Sequence, residues 1–489
     1  MSVELGRAAL AFARFGLGPH PGDLSRNEDG LELLRHELKA GTVATPVGAD
    51  LITTPAILSL VQAEFQSRRL ARGTKPNGAV NATGKPDEMG SPMVGDSPSS
   101  PRSPTRGDTA AGLPKDAETV RPVAQRLYRA EVSSRLAIAR EVSIGFVERL
   151  VWFWANHFTV SAAKGPRLRA TTGAFEREAI RPHVLGRFSD MLLAAELHPA
   201  MLIYLDNVAS VGPNSPAGAR KGKGLNENLG REILELHTLG VGSGYTQDDV
   251  TNLARILTGW TIAREANAAE LPGSTVYHPA AHEPGALTLL GKSYPDAGPE
   301  QVHMALLDLA RRPATAEHIA TRLVRHFVAD EPPETLVAKL AQTFRETDGD
   351  LARVSSALIE APESWSPEAV KVRSPQEFLV AAMRALALEP DPVKMMGGLA
   401  VLGQPFWAPP GPNGYSDRAV DWASPEGIKT RLDIAARFGQ AVSVQEPATF
   451  LESVLGASVS QETRAAVLRA ESRPQAMALL LMSPEFQRR

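Results

Sequence analysis

Residues 226–240, NENLGREILELHTLG, set three glutamates, an arginine and a histidine among leucines that recur at helical spacing. On a wheel of about 100° per residue, Leu225, Leu229, Leu236 and Leu239 share one stripe, and Glu232 falls inside it. Asn228 and Glu235 fall on the stripe's edge. Asn228, Glu232 and Glu235 are therefore expected to form an i, i+4, i+7 ladder facing the interior or a cavity. A buried carboxylate is costly unless it is paired, protonated or bound to a metal, so a positive group is expected beside Glu232. Arg231, Arg177, Arg181 and Arg255 are the arginines that would satisfy it as a buried ion pair. His237 lies about 140° from Glu232 on an unbroken helix, which takes it out of the ladder and makes a histidine from another segment the better partner.

Such a histidine stands in residues 146–158, FVERLVWFWANHF. His157 shares a face with Phe146, Leu150 and Trp154, so it is expected to be buried. Two readings are open: a neutral core histidine bonded to a carbonyl or a glutamate, or a metal ligand or general base. His183 and His198 show no ligand spacing with a second histidine or carboxylate and read as structural.

The same helical period recurs outward from these segments. Thr246 with Asp249, Ser374 before Pro375, and Ser424 before Pro425 read as helix N-caps, each leading into an apolar pattern such as FLVAAMRALAL at 378–388. Alternation typical of strands is scarce, ALTLLGKSYP at 286–295 being the one short hairpin candidate. The expected fold is mainly α, a large single globular helical domain with long irregular loops and at most a small hairpin. Residues 72–119 are rich in Gly, Pro, Ser and charge and poor in large apolar side chains, so they read as a disordered insertion. It divides an N-terminal helical part, 1–71, from the remainder of the main helical domain, 120–489.

Composition narrows the chemistry. The chain has 489 residues, a formal charge of −3 and no cysteine. No overall positive field favours nucleic acid. Disulfides, thiolate metal sites and cysteine nucleophiles are excluded, so any metal is held by His, Asp or Glu. Residues 1–18 lack a secretory pattern, which points to a cytoplasmic protein, and no apolar run reaches the roughly 20 residues of a membrane span. Phosphate-loop, HExxH and GxSxG motifs are missing, and the glycines of GVGSGY at 240–245 follow a helix and read as its terminus. Two loops stand out. Residues 274–291, STVYHPAAHEPGALTLLG, carry His278, His282 and Glu283. Residues 402–422, LGQPFWAPPGPNGYSDRAVDW, place aromatics among prolines and glycines, which either plugs a core or builds a rigid wall facing a ligand.

The chain resembles the bacterial "domain of unknown function 1800" family. The resemblance rests on ARFGLGPHPGDL at 13–24, VWFWANHFTVS at 151–161, residues 180–207 and 226–260, HEPGALTLLG at 282–291, VRSPQEFLVAAMRAL at 372–386 and LLLMSPEFQRR at 479–489. It implies a bacterial protein, often exported, with a partner encoded by a neighbouring gene, and it brings no established activity or site residues. Two departures stand out: no export signal is visible, and Leu229 and Gly230 occupy positions where the family usually carries an aromatic residue and alanine. A glycine inside a helix costs about 1 kcal/mol relative to alanine.

Two functions fit these residues. The first is a metal-dependent enzyme, hydrolase or oxidoreductase, with catalytic and metal-holding His157, Glu232 and Glu235. Asn228, Arg231 and His282 would bind the cofactor, the His282 loop would act as a lid, and a divalent or iron ion would be that cofactor. The second is a non-catalytic binding or assembly protein in which the same Glu, Arg and His residues form a structural network. Haem ligation by His157 is a third, weaker reading. The sequence does not decide whether the protein is an enzyme.

Overall fold

The computed structural model describes residues 7–26, 28–73, 121–221, 224–264, 270–366, 371–441, 446–456 and 459–489. The insertion expected at 72–119 lies, but for its first two residues, outside them. Helices dominate the described residues, and strand is confined to two antiparallel hairpins. The fold is mainly α.

Helices drawn from along the chain frame its interior. Helix α1 (Val123–Glu141) lays Leu127, Val132, Leu136 and Ala139 on the core. Helix α2 (Phe146–His157) is buried on almost every side and starts from Gly145 at φ 83°, a left-handed conformation that glycine adopts without strain. Its apolar circumference marks a central helix, packed on all sides by others. Helix α3 (Pro166–Phe175) packs on α1, and Phe188 at the start of α4 (Phe188–Glu196) meets Trp154 of α2 with ring centres 5.7 Å apart.

The opening stretch is not one continuous α-helix. Helix α5 (Asn228–Glu232) passes into a π-helical turn, Ile233–His237. A π-turn fits an extra residue into one turn, so every side chain beyond Glu232 is rotated away from its α-helical position. Gly240, Gly242 and Gly244 come next at positive φ and end the segment as its glycines indicate. Gly230 has a packing reason: a Cβ there would lie 3.0 Å from the Ala254 nitrogen on helix α6 (Gln247–Ile256), which crosses closely. Helix α6 opens with the expected capping box of Thr246 and Asp249.

The first hairpin pairs β1 (Trp260–Ile262) with β2 (Thr275–Tyr277). The second pairs β3 (Leu287–Leu289) with β4 (Lys292–Tyr294) through Leu290 and Gly291, both at positive φ, within the segment whose alternation suggests it. Helix α7 (Pro313–Phe327) buries Ala316, Ile319, Ala320, Leu323, Val324 and Phe327, spaced for one face. His318, Arg322 and His326 run beside that stripe at i, i+4, i+8. Helix α8 (Pro375–Ala385) has the Ser374–Glu377 capping box, and helix α9 (Pro425–Ala441) starts after Ser424, whose hydroxyl accepts from Gly427 N. One cluster of buried apolar side chains runs through the fold from Ala8 to Phe486.

Candidate functional site

The residues of the opening stretch separate once folded. His237, set aside by the α-helical wheel, is fully buried, because the π-turn swings it inward. Its Nδ1 lies 2.7 Å from Oε1 of Glu196, equally buried at the end of α4. His157 is buried as expected, and its Nε2 lies 3.1 Å from the His237 carbonyl, to which it donates. Both ring nitrogens of His237, both oxygens of Glu196 and Nδ1 of His157 lack an aligned hydrogen-bond partner.

The predicted ladder is not inward-facing. Asn228 is exposed, and Glu232 and Glu235 are half-buried. Arg231 turns to its own helix, lying 3.2 Å from Glu227 and 3.4 Å from Glu235. Glu232 has no ion-pair partner among the described residues, contrary to the expected buried arginine. Burial, with Glu235 and Glu196 nearby, holds its carboxyl above the usual range, against His237 and Arg231. Glu232→Ala is therefore expected to change stability by less than about 1 kcal/mol, since it orphans no cation; a urea melt showing a loss of several kcal/mol would restore the buried pair. His282 is buried against the first hairpin, with Nδ1 2.8 Å from the Thr258 carbonyl, while Glu283 holds Asn214 through its backbone and side-chain nitrogens. Among the described residues, no three His, Asp or Glu side chains stand together as metal ligands.

A cleft forms elsewhere, where α1, α2, α7 and the start of α8 meet residues 402–422. It is small, about 70 Å³. The aromatic loop is one wall and is held from below. Asn156 on α2 donates through Nδ2 to the Tyr415 carbonyl at 2.9 Å and accepts from Tyr415 N at 2.7 Å. Ser161 and the Tyr415 hydroxyl bind the carbonyls of Pro409 and Pro405. Gly414, at φ 75°, admits no side chain: a Cβ there would lie 2.4 Å from the Asn156 carbonyl. Trp407 holds φ 43°, a left-handed conformation that costs a non-glycine residue about 1–3 kcal/mol and is typical of sites where geometry is imposed by function. This loop is one of the two that composition singles out, and it lines the cleft.

Chemistry enters from α7. His326 Nδ1 lies 2.6 Å from Oδ1 of Asp417 on the loop. With Nδ1–H donating to the carboxylate, Nε2 carries the lone pair and lies 3.4 Å from Nη2 of Arg149. Burial pulls the His326 imidazole down to about 4, with Arg149 and Arg489 adding to the effect and Asp417 opposing it. Burial alone would raise Asp417, but His326, Arg322 and Lys371 overcome it and hold the carboxyl well below the usual range. Both groups line the cleft.

Beneath them Glu377 is a hub. Its Oε1 lies 2.5 Å from Arg149 Nη2 and its Oε2 3.0 Å from Arg489 Nε, while Oε2 also accepts from Ser374 N at 2.8 Å. Burial opposes ionisation, yet Arg149, Arg489 and His326 hold Glu377 far below the usual carboxylate range. Glu377 also closes the capping box with Ser374 at the start of α8, a local role that gives no hint of the longer-range one.

The opposite wall carries Arg135 from α1. Its guanidinium carbon lies 5.1 Å from the ring centres of both Trp152 and Trp407. Those indoles donate to Glu148 at 2.8 Å and Glu176 at 2.9 Å, and both glutamates also take hydrogen bonds from Arg181. Glu176 begins a second π-turn, Glu176–Ile180.

These features define a helical protein with a small polar cleft, walled by tryptophans and centred on a histidine–aspartate pair. By sequence it belongs to the family described as "Protein of unknown function (DUF1800)", whose model matches residues 10–488. No curated protein and no solved structure matches the chain. None of its helices, among the described residues, is long and apolar enough to cross a membrane.

Proposed function

We propose that the protein is an enzyme that performs acid–base chemistry on a small polar molecule in this cleft. The observation that carries the reading is the His326–Asp417 pair at 2.6 Å, both residues lining a small cleft walled in part by tryptophans. Asp417 fixes the tautomer and ring orientation, and burial keeps His326 neutral near pH 7, so its Nε2 lone pair, which meets Arg149 Nη2 at 3.4 Å, is the group that takes a proton once a substrate displaces that contact. Arg149, beside it, stabilises negative charge developing on the reacting group. Hydrolysis is the reaction these groups support without a further reagent: His326 takes a proton from water as its oxygen attacks the substrate and returns it to the leaving group.

A metal-dependent version centred on His157, Glu232 and Glu235 has less support, because His157 uses Nε2 on a carbonyl and the glutamates stay at the surface of their helix. The non-catalytic reading draws on Glu377, whose ion pairs stabilise the fold whether or not chemistry occurs. The two are separated by screening small polar metabolites for turnover. His326→Gln is expected to lose about 100-fold or more of any activity found, measured per folded molecule because the variant also loses the bond to Asp417. Equal turnover by the variant defeats the acid–base reading.

A further inference from the structure

The polar groups of the cleft are unevenly satisfied. Arg135 is a buried cation, only 5% exposed. Among the described residues, the one carboxylate within ion-pair distance of it is Glu176, at 3.4 Å, and that carboxylate already accepts from Arg181 and from the Trp407 indole. Arg135 makes no hydrogen bond to any described residue, and its Nε is buried without a partner. A guanidinium has five N–H donors in a planar fork; the buried Nε of Arg135 goes without a partner, and its Nη1 meets Glu176 only at 3.4 Å. Trp152 and Trp407 stack on the group, and Phe406 lies 5.8 Å away, so aromatic rings satisfy the cation's charge without engaging its N–H edge.

Charge across the cleft leans the same way. Arg135, Arg149 and Arg489 line it against Glu377 and Asp417. Arg373 and Arg431, behind the cleft and both buried, draw on the same Glu377 carboxylate. Arg149, Arg489, Arg373 and Arg431 thus all draw on Glu377, with Asp417 acting on Arg149 as well, so buried cations outnumber buried acids around the cleft.

We infer that the molecule taken up by the cleft bears an anionic oxygen group, a carboxylate or a phosphate, and that Arg135 receives it on its free N–H edge. The inference rests on the acid–base reading and gives it a substrate class: a small oxyanion-bearing molecule whose anion is anchored by Arg135 while the reacting part faces His326 Nε2. A planar fork held by stacked indoles is preorganised for bidentate oxyanion binding. Arg135 is accordingly a specificity-determining residue.

Titration calorimetry at constant ionic strength, with sodium phosphate and separately with sodium acetate, tests this on the full chain. At least one anion is expected to bind wild type, and the stronger of the two identifies the group. Arg135→Gln should weaken that binding about tenfold or more, the value of a charged hydrogen bond. His326→Gln keeps Arg135 and should keep the binding, so this assignment and the acid–base reading are able to fail independently. Absence of binding of either anion to wild type, undiminished binding by Arg135→Gln, or loss of binding in His326→Gln overturns the assignment. Should Arg135→Gln fail to fold, diffraction from wild-type crystals soaked in phosphate decides: an oxyanion within hydrogen-bond distance of Arg135 supports it, and an ion elsewhere or none defeats it.

Discussion

Glu377→Ala is expected to destabilise the protein by about 3–5 kcal/mol, the cost of breaking a buried ion pair from one side. Removing this carboxylate leaves Arg149 and Arg489 without their direct partner, at 2.5 Å and 3.0 Å, and removes the charge that Arg373 and Arg431 also draw on. It also frees the Ser374 nitrogen at the start of α8, an additional loss of about 1 kcal/mol. Glu377→Gln keeps the shape and the cap acceptor while deleting the charge, so its loss should be smaller. Urea denaturation at pH 7.5 measures both. A midpoint for Glu377→Ala close to wild type would mean that the arginines are compensated by something other than this carboxylate.

Acidification is the second large effect. Burial pulls His318 and His326 each down to about 4 and holds His157 well below the ordinary value. An unfolded histidine takes up its proton near pH 6.5, so between about pH 6.5 and 4 the unfolded chain binds more protons than the folded one. Stability therefore falls as pH drops through that window, with an upper figure of roughly 3 kcal/mol for each of His318 and His326. Glu377 and Asp417 act in the same direction at lower pH: their depressed pKa values stabilise the fold above the ordinary carboxylate range, and that contribution is lost as pH falls below about 5. Denaturant midpoints measured from pH 8 to pH 4 should decline slowly at first and steeply below about 6.5. A flat profile to pH 5 would mean that these imidazoles are solvated.

Helices and their starts were legible because caps and apolar periodicity are local. Thr246, Ser374 and Ser424 stand where their hydroxyls accept from the first helical turn, and the second hairpin lies in the one alternating segment. The first hairpin was not legible, since β1 and β2 are separated in sequence and each is only three residues long. The wheel failed beyond Glu232 for a definite reason: the π-turn at Ile233–His237 breaks the 3.6-residue period, burying His237 and leaving Glu235 half-buried, while Asn228 and Glu232, which precede it, are exposed and half-buried because the stripe they were set against does not continue. Nothing in the residue pattern announces that turn.

The cleft was half visible. Composition marked 402–422 as a loop able to face a ligand, and Asp417 lies within it. His326, 91 residues away in sequence, meets that aspartate only through the packing of α7. The spacing of His318, Arg322 and His326 along one side of α7 was the available signal, and it placed three polar groups beside an apolar stripe. Arg149 and Arg135 sit in helices that read as core, where an arginine passes as a surface residue unless its neighbours are known.

On the acid–base reading His326 stands neutral in the cleft, donating from Nδ1 to Asp417 and holding its Nε2 lone pair for a proton. Nitrogen-15 NMR of the histidine side chains at pH 7, with His326 assigned by comparison with His326→Gln, reads tautomer and charge directly and needs no substrate. The expected spectrum is that of a neutral ring protonated at Nδ1, which stays neutral down to about pH 5. A ring protonated at Nε2, or one charged at pH 7, would contradict it.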